Sequence, residues 1–279
     1  MPCNQTTAFL TPAFRNRNIV LTPDVDLVGR PPELYQAFLQ LLDDIHRGRV
    51  TSETILAEVI RRLVAQRDEQ ESRLSELLQR MGADSGGAEL PAEAIVKLVE
   101  HHLSMPGASR LPVLVVAAAY RAAERSLGER VLPFHAHNAA DRQTGALGDL
   151  EIALLDDARR VTVYEMKNRS VTTEDIDTAL FKIAQQSDVD NYIFITTSPI
   201  EPSVSDYAAK AYSRSGGVEI VVLDCVSFLR HFLHLFYRLR TAFLDAYQQF
   251  VLNEPDNAVR PPLKEALLLL RAAAEQACQ

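Results

Sequence analysis

Long hydrophobic runs are missing from this chain. No stretch approaches the roughly 18 uninterrupted apolar residues of a membrane span, and the opening MPCNQTTAFLTPAFRNRN does not place basic before apolar residues as a secretory leader does. A cytoplasmic protein without a membrane partner is the expectation. Cysteine is scarce: Cys3, Cys225 and Cys278 are odd in number, far apart and in no paired spacing, which argues against a disulfide framework and against a thiolate zinc site. Excess positive charge is absent too. The net charge of −8 argues against a protein that coats nucleic acid indiscriminately, although a local basic cleft is compatible with an acidic remainder. Apolar content is plentiful, 47% of 279 residues, enough for one large domain or two ordinary ones.

Residues 1–32 carry prolines and scattered arginines (Arg15, Arg17, Arg30) without a sustained period and read as an irregular arm. Helical grammar begins at Pro32, where Leu34, Phe38, Leu41, Leu42 and Ile45 recur at helical spacing up to a stop at Gly48. TSETILAEVIRRLVAQRDEQESRLSELLQRMG, with Thr51 or Ser52 as cap, predicts one long helix or two in line. The glycine pair in GADSGGAELP ends it, and AEAIVKLVEHHL adds another helix. Residues 1–110 are therefore expected to form a mainly helical N-terminal region, a source of specificity contacts or of a dimer surface.

From 111 to 279 strands alternate with helices. The helix VLVVAAAYRAAERSLGER leads to a short strand, VLPFHAH. DLEIALL and RVTVYEMK are two strands joined by DDAR, TEDIDTALFKIAQQ is an amphipathic helix, and NYIFITT is a buried strand. A helix over SVSDYAAKAYSRS, capped by Ser203, precedes the strand VEIVVL, and the helical end FLRHFLHLFYRLRTAFLDAYQQF carries a continuous aromatic and leucine stripe. That order predicts an α/β fold: a mixed β-sheet flanked by helices on both faces.

Chemistry concentrates on the two joined strands. Strand side chains alternate, so Leu150, Ile152 and Leu154 form a core face that Tyr164 and Met166 match, while Asp149, Glu151, Glu165 and Lys167 share the other face. A hairpin centred near Ala158 would set Asp149 opposite Lys167 and Glu151 opposite Glu165. Carboxylates gathered at the end of a half-buried sheet are costly unless compensated, and a divalent cation compensates well. Mg²⁺ commonly takes one or two protein carboxylates and fills its shell with water and phosphate. Asp149 and Glu165 suit that role, with the Met166 carbonyl between the polar side chains. Lys167 could then orient a water and stabilise a phosphate's developing charge, its own pKa lowered by the neighbouring cation.

Gly148 and Asp149, followed by EMK at 165–167, resemble the PD-(D/E)XK nuclease superfamily, with Gly148 standing where the superfamily's proline would be. The resemblance implies a restriction-endonuclease-like αβββαβ core over residues 112–224, with Asp149, Glu165 and Lys167 in the catalytic positions. It also implies an accessory acid from the preceding helix, Glu124 being the best match and Glu129 the second. HNAADRQTGALGDLEI together with YEMKNR is similar to type II restriction endonucleases of the SacI family. That similarity implies Mg²⁺-dependent hydrolysis at a specific double-stranded DNA site, leaving a 5′ phosphate. It further implies a homodimer on a palindromic site and a functional pairing with a DNA methyltransferase. The alternatives are a repair or recombination nuclease of the same fold and a non-catalytic nuclease-like DNA-binding subunit. The latter usually loses the carboxylates or the lysine, all of which are present here.

Plainer readings stand beside these. Glu-x-Lys alone marks a solvated strand face; the Gly148–Asp149 partner and the flanking helices give it a catalytic sense. Glu151 is a neighbour that tunes the site or pairs with a cation, and Glu124 is equally an exposed helix glutamate. His135, His137, Asn138, Arg142 and Gln143 form a polar segment before the first acidic strand, suited to phosphates or base edges or to an ordinary loop. Asn168 and Arg169, just past the second strand, are the better candidates for DNA contact. Lys182, Gln185 and Gln186 are expected on an exposed helix face or near the DNA backbone. His101 and His102 are adjacent and point apart, which disfavours joint metal ligation. Phe228, Phe232, Phe236 and Phe243 read as core or dimer surface rather than a base-stacking platform.

Overall fold

Two units make up the chain in the computed structural model, Met1–Arg73 and Leu74–Gln279, and residues 21–25, 32–83, 89–133, 147–157, 159–185 and 189–278 are described. In the first unit, helix α1 (Pro32–His46) buries Leu39 and Tyr35 beside Leu21 and Val25. Thr51 then accepts the amide of Thr54 on its hydroxyl and that of Ile55 on its carbonyl, opening α2 (Ser52–Ala83). This is one continuous helix rather than two. Charged pairs one turn apart line it, among them Glu58 with Arg61 and Arg62, each at 2.7 Å.

The second unit is built on a five-stranded sheet. Helix α3 (Ala92–Leu103), a short 3-10 turn (Ala108–Arg110) and α4 (Leu111–Leu127) precede it. Gly128 closes α4 with a left-handed φ of 71° and returns its amide to the Glu124 carbonyl. The strands are β1 (Glu129–Val131), β2 (Leu150–Leu154), β3 (Arg160–Lys167), β4 (Asn191–Thr196) and β5 (Glu219–Asp224), adjacent in that order. The first two pairings are antiparallel and the last two parallel, joined through crossover helices α5 (Thr173–Ile183) and α6 (Pro202–Arg214). Helix α7 (Cys225–Leu235), a 3-10 turn (Tyr237–Leu239), α8 (Arg240–Asn253) and α9 (Pro261–Ala277) follow. The mixed α/β architecture expected from the element order is the one observed.

Both faces of the sheet are covered. Leu150, Ile152, Tyr164, Ile193 and Ile195 look toward α3, α4, α7, α8 and α9, while Val163, Tyr192, Phe194, Ile220 and Val222 look toward α5 and α6. A buried polar seam ties the first layer together. His102 joins the Tyr247 hydroxyl and the Leu263 carbonyl, each at 2.9 Å, and Arg110 meets Glu254 at 3.0 Å. His102 thus has a structural occupation while exposed His101 points away, as their adjacency requires.

Several expectations change. Ile95, Val96, Leu98 and Val99 of α3 lie in the same core as the sheet, so this helix belongs with the sheet and not with a separate 1–110 region. An apolar stripe announces that a helix is buried without naming its partner. The first strand lies at Glu129–Val131 instead of running through VLPFHAH, whose end at 134–137 falls outside the described residues. Ser203 is inside α6, which opens on Pro202, a residue suited to the first helical position because its missing N–H would have no partner there. The C-terminal aromatic stripe is interrupted at Phe236. That break lets Phe243 pack against Phe232, with ring centres 6.0 Å apart, and the stripe serves the core. Cys225 is buried, its thiol pushed up to about 12 by burial, and Cys278 is free and exposed. No helix among the described residues is long and apolar enough to cross a membrane.

Candidate active site

The β2–β3 hairpin brings the acidic residues together in a register different from the expected one. Leu150 lies opposite Tyr164 and Glu151 opposite Val163, so continuing the ladder sets Asp149 against Glu165 rather than Lys167. An irregularity between Ile152 and Ala153 leaves Val161 as an extra residue on β3 and turns it into the opposite core layer from Val163. Beside Asp149 and Glu165 the slip is by two residues, so these side chains keep their expected face; beyond the irregularity Val161 changes face and Leu154 is exposed.

Asp149 is fixed at both ends. Its amide donates to the Tyr164 carbonyl at 2.9 Å, and its Oδ2 accepts the amide of Met166 at 2.7 Å, the peptide between Glu165 and Lys167. Gly148 makes this approach possible, since a Cβ there would lie 2.6 Å from both the Tyr164 oxygen and Val163 Cγ1. No larger residue, proline included, fits without moving the strand, which explains the glycine at this position.

Glu165 is mostly buried and engaged on both oxygens. Lys167 Nζ sits 2.6 Å from Oε1, and Lys182 Nζ lies 3.1 Å from Oε2, which also accepts the fully buried Tyr192 hydroxyl. Burial pushes its pKa up, but the Lys167 and Tyr192 hydrogen bonds, aided by the Lys182 charge, hold it below the ordinary carboxylate range. Lys167 also reaches Asp175 at 3.3 Å. Its burial favours the neutral amine, yet the two carboxylates prevail and raise its pKa.

Asp175 and Tyr192 escaped the sequence reading. Asp175 closes a capping box with Thr172 at the start of α5 and takes a bidentate pair from Arg169, both at 2.7 Å. Burial opposes its ionisation, but Arg169 and Thr172 hold its pKa well below normal. Such an aspartate reads from sequence as a helix cap alone. Tyr192 starts an apolar strand and reads as core, which it is except for its hydroxyl.

Lys182 was expected on an exposed helix face or near DNA; its long stem instead returns the ammonium to the cluster, where it also donates to the Leu147 carbonyl at 3.3 Å. Tyr192 donates to that same carbonyl at 3.2 Å. Glu151 anchors the other side of Leu147, accepting its amide at 2.8 Å and pairing with Arg160 at 3.1 Å. Arg169 is exposed but committed to Asp175. Asn168 lines a recess of about 220 Å³ with Ser109, Pro112 and Thr197. Glu124 pairs with Arg121 of its own helix at 3.3 Å and borders a different recess with Leu132 and Phe250. Its helix sends Tyr120 to Tyr164, on the sheet face opposite Glu165. His137, Asn138, Arg142 and Gln143 lie outside the described residues.

The donor chemistry fits a hard cation. No group of three or more His, Cys, Asp or Glu side chains among the described residues is arranged to hold a metal ion. Asp149 and Glu165 offer carboxylate oxygens, the donor type that Mg²⁺ accepts and that zinc favours less than nitrogen or sulfur.

No curated protein matches the chain. Residues 88–197, however, match the family model of the SacI restriction endonuclease C-terminal domain. The matched stretch runs from α3 through β4 and includes Asp149, Glu165, Lys167, Asp175, Lys182 and Tyr192, so the chain is similar to a type II restriction endonuclease of the SacI kind throughout its acid–lysine cluster.

Proposed function

We propose that this chain is a Mg²⁺-dependent type II restriction endonuclease that hydrolyses a phosphodiester at a specific double-stranded DNA site. The observation that carries the reading is the hydrogen bond from the Met166 amide to Asp149, which sets that carboxylate against the peptide linking Glu165 to Met166, one residue before Lys167. Asp149 and Glu165, with the Met166 carbonyl, would hold the cation, which when bound supplies the positive charge that polarises a scissile phosphate and acidifies water. Lys167, kept protonated by Glu165 and Asp175, donates hydrogen bonds to the charge developing on phosphate oxygens. Arg169 fixes Asp175 and hence the far side of Lys167, while Glu151 steadies the segment that presents Asp149. DNA contacts are assigned to Asn168 beside this cluster and to His137, Asn138, Arg142 and Gln143.

A twofold protein reads a twofold sequence, so a homodimer on a palindromic site fits the proposal, as does a companion DNA methyltransferase that protects the host. Binding to duplex DNA would weaken as salt rises. Digestion of plasmid DNA with Mg²⁺, beside a Lys167→Ala control, tests the reading. Discrete bands that vanish in the control and without Mg²⁺ are expected. Cutting only of branched or damaged DNA would indicate a repair nuclease, and absence of cleavage on any duplex would indicate a binding subunit.

A further inference from the structure

We infer that helix α2 is the seam of the homodimer and that two copies pair it antiparallel, about a twofold axis between Asp68 and Glu69. The inference rests on the homodimer that accompanies the nuclease reading and adds to it an element, an orientation and a register. Among the described residues, none from 52 to 79 on this 32-residue helix is buried. Leu56, Val59, Ile60 and Leu78 are 59%, 46%, 44% and 38% exposed, and Leu63, Leu74 and Leu77 are half-buried. At about 100° per residue these seven side chains share one stripe roughly 100° wide, the width of a face that packs against something. Within it the sequence reads nearly alike in both directions. Val59 and Leu78, Ile60 and Leu77, and Leu63 and Leu74 are equidistant from the midpoint of Asp68 and Glu69. So are Arg67 and Gln70, the polar residues that interrupt the stripe.

A helix face that docks on an unrelated surface has no need of this symmetry. An antiparallel pair of identical helices does, because it sets each residue against its mirror mate, apolar on apolar to either side of the axis and polar on polar at it. The charges choose between the two orientations. Parallel helices in register would bring each residue to its own copy and set Arg67 against Arg67 in the middle of an apolar seam. In the antiparallel pair Arg67 faces Gln70 of the partner subunit, with Glu71 of the partner subunit one residue along. Arg67 already lies 2.6 Å from Asp68 and 3.9 Å from Glu71 of its own helix, so acid accompanies it on both sides of the axis. A polar centre between two apolar blocks also fixes the register, since a slip of one turn would press the guanidinium onto leucine.

Sedimentation equilibrium of the full chain tests the seam, and a dimer is expected for the wild type. Ile60→Glu should raise the dimer dissociation constant about a hundredfold or more, because both copies lose an apolar contact and gain a carboxylate there. Leu78→Glu repeats the test if Ile60→Glu folds poorly. Ala65→Glu, on the opposite side of α2, should leave the constant unchanged. Orientation is read by oxidative cross-linking in a chain carrying Cys3→Ser and Cys278→Ser, Cys225 being buried. Leu63→Cys mixed with Leu74→Cys should give a linked dimer, and Leu63→Cys alone should not. A wild-type monomer, a dimer indifferent to both glutamate variants, or a Leu63→Cys chain that links to itself overturns the inference. If one of these occurs while the wild type cuts duplex DNA with Mg²⁺, the nuclease reading stands without the α2 seam. If the seam behaves as expected and no duplex is cut, the nuclease reading falls and the seam remains.

Discussion

Gly148 lies so close to Tyr164 on the neighbouring strand that a single added carbon would stand 2.6 Å from its carbonyl oxygen. The contact precedes Asp149 by one residue, so the spacing of the acidic pair depends on it. Gly148→Ala is expected to cost about 1–3 kcal/mol of stability, the usual range for overpacking, and to reduce duplex cleavage by more than that stability loss accounts for. Urea unfolding and cleavage rate, measured on the same preparation, check this. A variant with full activity would show that Asp149 is placed by something else.

Tyr192→Phe removes a buried hydroxyl shared between Glu165 and the Leu147 carbonyl. Loss of about 1–2 kcal/mol is expected, with the polar partners left short of a donor. Lys182 still spans the same two groups, so the variant should remain folded. Denaturant midpoints give the measurement, and a midpoint equal to wild type would contradict the role.

Acid should reach Asp175 only after carboxylates of ordinary pKa have been protonated. Burial disfavours its charge, but Arg169 and Thr172 outweigh that effect and depress its pKa in the folded chain. A depressed carboxylate contributes stability that is complete above its unfolded value, about 4, and that is lost as pH falls through the folded value. Asp175→Asn should therefore be less stable at neutral pH and lose less on acidification, the two curves converging in strong acid. Parallel curves from urea unfolding between neutrality and acid would sink this. Lys167, whose pKa is raised, behaves in the opposite sense: its contribution is complete below about 10.4 and disappears as pH climbs through the folded value.

His102 contributes an independent limb at milder pH. Burial pushes its pKa down to about 4, so the folded chain holds it neutral while the unfolded chain protonates it near 6.5. Stability should fall as pH drops from about 6.5 toward 4, by on the order of a few kcal/mol. In His102→Asn that slope should be gone, although the variant starts from a lower stability because Tyr247 and the Leu263 carbonyl lose their shared partner. Equal slopes for the two proteins would refute the assignment.

Much of the fold was legible because strong local signals agree with the packing. β3 occupies RVTVYEMK in full, β4 begins at Asn191 as its apolar run does, and the capping box at Thr172 opens α5 at the expected place. The hairpin register was less legible, since Ala153 pairs with Arg160 about a turn centred before Ala158 and a bulge then consumes one residue of β3, neither of which marks the alternation of Leu150, Glu151 and Ile152. Lys182 and Tyr192 were obscured for complementary reasons. A lysine on an amphipathic helix looks solvated until its stem is seen to bend inward, and a tyrosine in an apolar strand looks wholly apolar until its one oxygen finds a carboxylate. The partner of α3 was hidden because helical periodicity carries no address.

Lys182 and Tyr192 both grip residue 147 by its main-chain oxygen, an atom that all twenty amino acids possess. Substitution at that position can remodel the hydrophobic lining under α5 and still leave both donors something to hold. A change of side chain at this one position is thus insulated from the alignment of Glu165.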